Sequence, residues 1–433
     1  MFKMDKATSL VWVVNIPMRA VRDHLGIPLG GSGFWLDALA CELTRGRKVR
    51  LTVVSCSPAY RLDSSFIRDG VKYVQLTTSY MWFMPLTRMR ALRRIERAIR
   101  AEQPALVDFH GTEFGWGEVA DRIDAPSITT LQGLISEVGE FSFGPNGKIA
   151  FFRDILRAPG RLRHISREIL AFVSLGPRIR AELRQIRASR YFLGRTAYDR
   201  AHAERLQPRL LGYYAAARVL RQTFYVTEWD PRAHDNKIVF NCGRLTPSKG
   251  VDLLIRSLPI VAARVPNVRL RIGGSRRPTE GWGVHLVRLA ERLGVADRVE
   301  FCGYLNEQGV AAELEKASVF ALPSYNENSP NTLAEAMIVG VPCVSAQVGG
   351  VTSMLEHERN GLLFPRGDVR ELAAHLIQLL SRRDYAITIG AAGRRDALLR
   401  HDPSRVAEAT VVAYNAILQA VGSSERIGPK GNE

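Results

Sequence analysis

The feature that most constrains this chain is an alternation of short apolar runs with amphipathic helical stretches, and the alternation occurs twice. In the second half the order is KIVFNCG, helix VDLLIRSLPIVAAR, VRLRIGG, helix WGVHLVRLAERLG, VEFCG, helix EQGVAAELEKA, SVFALPS, helix TLAEAMIVG, PCVSA and helix VRELAAHLIQLLS. Near-continuous apolar runs read as strands buried on both faces. Helical crossovers between such strands give a parallel sheet covered on both sides. The first half has the same rhythm with longer interruptions. LVWVVN reads as its first strand, followed by the helix GFWLDALACELTRG with Phe34, Leu36, Leu39, Ala40 and Leu43 on one side. VRLTVVSC, ALVDFH, PSITTLQG and RYFLGRT then supply strands or strand ends. The expected class is therefore α/β. A chain of 433 residues suits two domains. We place them at residues 1–228 and 237–402, joined by the Pro-containing polar stretch Thr227–Asn236. A last helix, 403–421, is expected to pack back toward the first domain, and the polar tail 422–433 to be disordered.

Charge narrows the partners. The chain holds 60 Lys and Arg against 43 Asp and Glu, a net charge of +17. Residues 1–236 carry most of the excess, with 36 basic and 23 acidic residues. That predicts an anionic partner for the first half: a membrane surface, a nucleic acid or a phosphorylated acceptor. Five cysteines (Cys41, Cys56, Cys242, Cys302, Cys343) lie far apart without metal-ligand spacing and read as reduced thiols. The run LVWVV, closed by Asn15 and Pro17, is too short for a signal-peptide core. No apolar run approaches the roughly 18–20 residues of a membrane span. The expected location is cytoplasmic, at most peripheral on the inner face of the plasma membrane.

Ligands of doubly wound sheets bind at the carboxyl ends of the strands. In NCGRLTPSKGVDLL (Asn241–Leu254), Arg244 and Lys249 put two cations at such an end, beside a helix start. They suit a diphosphate leaving group as negative charge develops on it, and read alternatively as solvated charges of a surface turn. The P-loop spacing is absent, and no Gly-x-Gly-x-x-Gly opens either half, which disfavours an NTPase and a dinucleotide-binding dehydrogenase. In PSYNENSPNTLAEAMIVGVPCVSAQVGG (Pro323–Gly350), Ser329 is expected to cap a helix with Pro330 at its first position. Glu327 then lies in the preceding loop, Glu335 in the helix, and the amides around Ser329–Leu333 form an anion site. Glu327 reads equally as a solvated loop residue and Glu335 as a capping partner. His110 follows a strand in DFHGTEFGWG and is a candidate for the active site. Arg195 and Asp199 in FLGRTAYDR are expected to pair across one helical turn.

Arg244 and Lys249 after a strand, Glu327-x7-Glu335, and the segments GVPCVSAQVGG and NGLLF resemble the retaining GT-B glycosyltransferases of family 4 (glycosyl transferases group 1). The resemblance covers the second half in order and spacing, and the first half more loosely through the glycine loop GGSGFWLDALACEL. It implies a GT-B fold, two Rossmann-like domains facing a central cleft. It further implies transfer of a sugar from a nucleotide diphosphate sugar to a carbohydrate or lipid-linked acceptor, in synthesis of bacterial-type surface polysaccharide or glycoconjugate. Arg244 and Lys249 would bind the donor diphosphate, Glu327 the donor sugar near its reacting carbon, and Glu335 the ribose. Amides of Asn331, Thr332 and Leu333 would hold phosphates, Gly31 would let backbone approach the donor, and His110 would face the transferred sugar. The resemblance implies no cofactor and no metal, in keeping with the lack of an Asp-x-Asp site. Ser32-Gly33-Phe34-Trp35 and Asn328-Ser329 depart from the common pattern, and the basic stretch Leu134–Arg190 has no counterpart in it. The alternatives are a GT-B relative such as a nucleotide-sugar epimerase, or a non-catalytic scaffold of the same fold.

One further segment reads as a surface. Tyr80-Met81-Trp82-Phe83-Met84 precedes a helical stretch with Arg88, Arg90, Arg93, Arg94, Arg97 and Arg100, in which Leu92, Ile95 and Ile99 share a face. Arg88–Arg100 is expected to meet an anionic membrane surface with the rings at headgroup level, against the plainer reading of a solvated basic helix. Nucleic acid is not expected, since no recognised nucleic-acid-binding module accompanies the charge.

Overall fold

The computed structural model describes residues 7–26, 33–139, 161–274, 282–422 and 427. The chain divides into two compact units. One comprises Met1–Ser136, Val173–Leu220 and His401–Glu433, the other Glu137–Phe172 and Arg221–Arg400. Gly31 and most of the tail 422–433 lie outside the described residues, as does part of Leu134–Arg190.

The first unit is built on eight strands: β1 (Thr8–Val14), β2 (Val49–Ser57), β3 (Ser64–Arg68), β4 (Val71–Thr77), β5 (Leu106–His110), β6 (Ser127–Thr130), β7 (Tyr191–Gly194) and β8 (Gly212–Ala215). Their order is β3-β4-β2-β1-β5-β6-β7-β8, and only the β3–β4 pair is antiparallel. The β3–β4 hairpin is an edge addition that the apolar-run pattern did not single out. β1 shows why LVWVV is apolar throughout. Leu10, Trp12 and Val14 enter one core with the helices Phe34–Thr44 and Pro403–Ala420, while Val11 and Val13 enter another with the helix Pro85–Glu102. A strand with both faces buried reads as a near-continuous apolar run, and the polar residues of β1, Thr8 and Ser9, stand at its start.

The second unit has six parallel strands: β9 (Ile238–Gly243), β10 (Arg269–Gly274), β11 (Val299–Gly303), β12 (Val319–Leu322), β13 (Cys343–Ala346) and β14 (Leu362–Phe364). Their order is β11-β10-β9-β12-β13-β14. The direction of winding reverses between β9 and β12, so the loops after these two strands open on the switch point where such sheets bind ligands. The stretch Thr227–Asn236 is packed within this unit: the Trp229 amide donates to Val339 O (2.8 Å) and its indole Nε1 to Ala317 O (2.7 Å). Apart from the segment Glu137–Phe172, the chain passes from one unit to the other at Leu220–Arg221 and again at Arg400–His401.

Two glycines fix the switch-point loops. Gly250 has φ +63°, and a Cβ on it would stand 2.1 Å from the Pro323 carbonyl oxygen. Gly349 has φ +48°, and its Cβ would stand 2.0 Å from the Glu327 carbonyl oxygen. Both obstacles are backbone, so neither can swing aside. Gly294, by contrast, has φ +65° with open space around it. Gly294→Ala should therefore cost only the left-handed penalty of about 1–2 kcal/mol. Gly250→Ala should cost clearly more, lowering the melting temperature of the second unit by a further several degrees. Paired thermal melts of the two variants check this, and equal shifts would show that the approach to Pro323 is not close.

Candidate functional site

In the second unit the loop after β9 carries Arg244 and, through the short 3-10 turn Pro247–Lys249, Lys249. The loop after β12 carries Glu327. The Tyr325 amide donates to Ser248 O at 2.9 Å, which ties the two loops together. Across this tie Lys249 Nζ forms an ion pair with Glu327 Oε1, and the same oxygen accepts from Ser324 Oγ at 2.8 Å. Both charged groups retain some solvent contact. Arg244 is exposed, with no ion-pair partner among the described residues. Two cations and one carboxylate therefore stand at the switch point, with one cation already neutralised.

The helix Asn331–Val339 begins four residues beyond Glu327, and its first intrahelical bond runs from the Ala334 amide to Pro330 O (3.2 Å). The amides of Asn331, Thr332 and Leu333 thus occupy the first turn, where helical amides have no intrahelical acceptor. The expected cap is not formed. Pro330, extended at φ −70° and ψ 118°, is the N-cap, no side chain caps the helix, and Ser329 Oγ lies against Met354 Sδ at 3.8 Å. Proline holds φ where a cap residue needs it, but it has no side-chain acceptor.

Glu335 is buried at 1% exposure within this helix. Its Oε1 accepts from Arg221 Nη2 at 2.7 Å, and Arg221 Nε lies 4.0 Å from Glu307. Its Oε2 is buried with no hydrogen-bond partner among the described residues. Burial pushes the carboxyl up to about 7, against the opposing pull of Arg221. Arg221 was not foreseen. Its partner is 114 positions away, and no local motif marks it. A buried carboxyl with one satisfied and one open oxygen is a receptor for a hydroxyl donor.

The first unit gathers His110, Arg195 and Arg218 around a cavity of about 30 Å³, enough for one water, with Trp35, Gln132 and Thr410 in its wall. His110 ends β5. Its imidazole packs on Trp12 with ring centroids 4.5 Å apart, and Nε2 lies 3.3 Å from Asp108 Oδ2. Burial lowers its pKa against the opposing influence of Asp108, so the ring is neutral. The Arg218 guanidinium stacks 4.1 Å from the Trp35 ring centroid. Arg195 and Asp199 do not pair through their side chains as expected. The Asp199 carboxylate takes the amides of Arg195 (3.0 Å) and Thr196 (3.2 Å) in a capping box, and the Arg195 guanidinium donates to Gln132 O.

Residues 236–382 match the family Glycosyl transferases group 1. This segment is similar to a group 1 glycosyl transferase domain. Over 170 residues the chain is 33% identical to the GDP-mannose-dependent alpha-(1-6)-phosphatidylinositol monomannoside mannosyltransferase of Mycobacterium tuberculosis, covering 38% of this chain and 43% of that protein. The chain spans less than half the length of the curated relatives it matches. By structure it resembles sucrose-phosphate synthase of Thermosynechococcus elongatus (TM-score 0.70, 16% identity, 95% of this chain and 100% of that one). It also resembles HepE of Anabaena in complex with UDP (TM-score 0.66, 16% identity, 94% and 100%). The fold is GT-B.

Arg221 should be felt through Glu335. A carboxyl raised from its ordinary 4.5 to about 7 binds more protons folded than unfolded. Stability therefore falls as pH rises through that window and levels off above 7. Without the guanidinium the carboxyl would titrate higher, and the fall would continue. Arg221→Met should thus lose about 2 kcal/mol more, relative to the parent, at pH 8.5 than at pH 6. Thermal or urea unfolding at the two pH values checks this. A deficit independent of pH would mean Arg221 does not hold Glu335.

Proposed function

We propose that this protein is a retaining, metal-independent glycosyltransferase that moves a hexose from a nucleotide diphosphate sugar to a carbohydrate or lipid-linked acceptor. The observation that carries the reading is the juxtaposition, at the switch point of the second sheet, of Arg244, the Lys249–Glu327 pair and the first turn of the helix Asn331–Val339. HepE, which has the same fold, has been crystallised with UDP and with UDP-glucose. In the proposed reaction Arg244, Lys249 and the amides of Asn331, Thr332 and Leu333 receive the charge that develops on the diphosphate as the bond to the anomeric carbon breaks. Glu327 lies toward the sugar. Glu335, with its open Oε2, takes a ribose hydroxyl, and His110 hydrogen-bonds the transferred sugar as a neutral imidazole. The acceptor hydroxyl attacks from the face the diphosphate leaves, and a phosphate oxygen takes its proton. Retention and the residue roles rest on the resemblance to family 4. Gly31 would admit backbone to the donor.

Each cation makes a charge-assisted contact worth roughly 1.5–3 kcal/mol. Arg244→Ala and Lys249→Ala should each lower turnover at least tenfold and weaken nucleoside diphosphate binding, with unchanged circular dichroism. Turnover near the parent value in both variants would overturn the diphosphate assignment.

For the acceptor we propose a glycoconjugate at an anionic membrane surface, as in surface polysaccharide assembly, reached from the cytoplasmic side. The support lies at the start of the helix Pro85–Glu102, where Tyr80, Met81, Met84, Leu86 and Met89 are exposed beside exposed Arg90, Arg93 and Arg97. The expected surface is corrected in three places. Trp82 and Phe83 are core residues. The Arg88 guanidinium is buried on the Phe114 and Gly115 carbonyls and Glu118. Arg94 is tied to Thr77 and Asp63. No helix among the described residues is long and apolar enough to cross a membrane. Sedimentation with liposomes of graded anionic content should show binding that falls with salt, at roughly 1 kcal/mol per arginine. Loss of most of it is expected when Arg90, Arg93 and Arg97 become Gln, and binding indifferent to lipid charge would sink the idea.

A further inference from the structure

The C-terminal helix Pro403–Ala420 reaches the surroundings of His110 in a way the reaction scheme above does not use. Val406 and Thr410 form part of the wall of the His110 cavity. One turn further along, Tyr414 is fully buried, and its hydroxyl donates to Asp108 Oδ2 at 2.6 Å. The same hydroxyl accepts from Trp12 Nε1 at 3.1 Å. Asp108 is also fully buried and takes Thr130 Oγ1 at 2.8 and 2.9 Å on its two oxygens. The oxygen that receives Tyr414 is the one that lies 3.3 Å from His110 Nε2. Trp12, which supplies the indole N–H, also packs against the His110 ring.

A buried carboxylate with this set of donors is costly to build and unnecessary for packing alone. Three apolar side chains of similar volume would fill the same space. What the arrangement does is hold one carboxylate oxygen against one nitrogen of His110. Nε2 is itself buried and forms no hydrogen bond among the described residues, so the carboxylate acts on the ring through its charge at 3.3 Å. The group is set from two sides: β5 carries Asp108 and His110, while the last helix carries the hydroxyl that fixes the carboxylate.

We infer that Tyr414 and Asp108 are positioning residues for His110, so that the C-terminal helix sets the orientation and protonation of the histidine proposed to meet the transferred sugar. The inference rests on the reading of His110 given under the proposed function. The charged and titratable groups facing the ring are Asp108, Arg218, Arg195 across the cavity, and Tyr414 through Asp108. Removing the Tyr414 hydroxyl leaves the Asp108 charge less compensated. That charge stabilises the imidazolium, so His110 should protonate at a higher pH than in the parent.

The test is a set of three variants of the full chain assayed with nucleotide sugar across pH 5.5–9. Tyr414→Phe keeps the ring in the core and removes the one donor. It should lower kcat about tenfold at pH 7 with the donor KM within twofold, and move the acid limb of the pH–rate profile upward by about half a unit or more. Thr130→Val removes the other donor to the same carboxylate and should move the acid limb in the same direction; it serves if Tyr414→Phe does not fold. An NMR titration of the His110 imidazole should show the same upward move in either variant. His110→Ala reports on the underlying reading. If it turns over normally, His110 has no role in the reaction. If it is impaired while both other variants keep the parent profile and the parent His110 titration, the reading of His110 stands and the positioning role is overturned.

Discussion

The site in the second unit depends on how closely one stretch of backbone can approach another. Gly250 stands against the carbonyl of Pro323 and Gly349 against the carbonyl of Glu327, each in a conformation and at a distance that exclude a side chain. The first approach brings the loop after β9 onto the loop after β12. The second, with the hydrogen bond from the Gly350 amide to Glu327 O at 3.0 Å, clamps the acidic residue from its other side. Lys249 and Glu327 meet because the backbones that carry them are held in this way. The ion pair spans two loops that the backbone contacts already hold together.

Two glutamates eight positions apart end in opposite environments. Glu327 sits in a loop with a lysine, a serine and some solvent, whereas Glu335 lies one helix turn inward with a single guanidinium and one oxygen left open. The inward residue is held near the middle of the physiological pH range because desolvation outweighs the arginine. His110 in the first unit is treated similarly, since burial outweighs the neighbouring carboxylate and keeps it neutral. Both units thus hold a titratable group whose protonation is set mainly by burial and opposed by one charged partner, Arg221 in one and Asp108 in the other.

The basic excess of the first half is only partly a surface property. Arg88 is held under two tryptophan rings and bound to carbonyls, Arg47 reaches Glu408 on the last helix, and Arg195 is spent on a carbonyl. Such guanidinium groups stitch elements together, and they contribute little field outside the protein. The charge available to a partner is carried by residues such as Arg90, Arg93 and Arg97, whose side of the helix faces away from Leu92, Ile95 and Ile99.

The sequence by itself determined the class of fold, the place of most strands, the burial of one face of the helices Phe34–Thr44 and Pro85–Glu102, and the two loops that carry Arg244, Lys249 and Glu327. These are local matters. A period of two or 3.6 residues is imposed by chain geometry, and it shows wherever a face is buried. The resemblance to family 4 added the expected roles of those residues. Only the tertiary structure decided which groups meet. Arg221 and Glu335 are 114 positions apart, Asp108 and Tyr414 are 306, and Trp12 and Tyr414 are 402. No periodicity spans such distances; the order of strands in the sheet and the return of the last helix onto it bring those pairs together. The same physics explains the expectations that did not hold. Trp82, Phe83 and Arg88 looked like surface because a short segment does not reveal that a 3-10 turn more than 25 residues later, Trp116–Arg122, will cover it. Arg195 and Asp199 have the spacing of a pair, but the Asp199 carboxylate is taken by the amides of Arg195 and Thr196, just before the helix Ala197–Leu206.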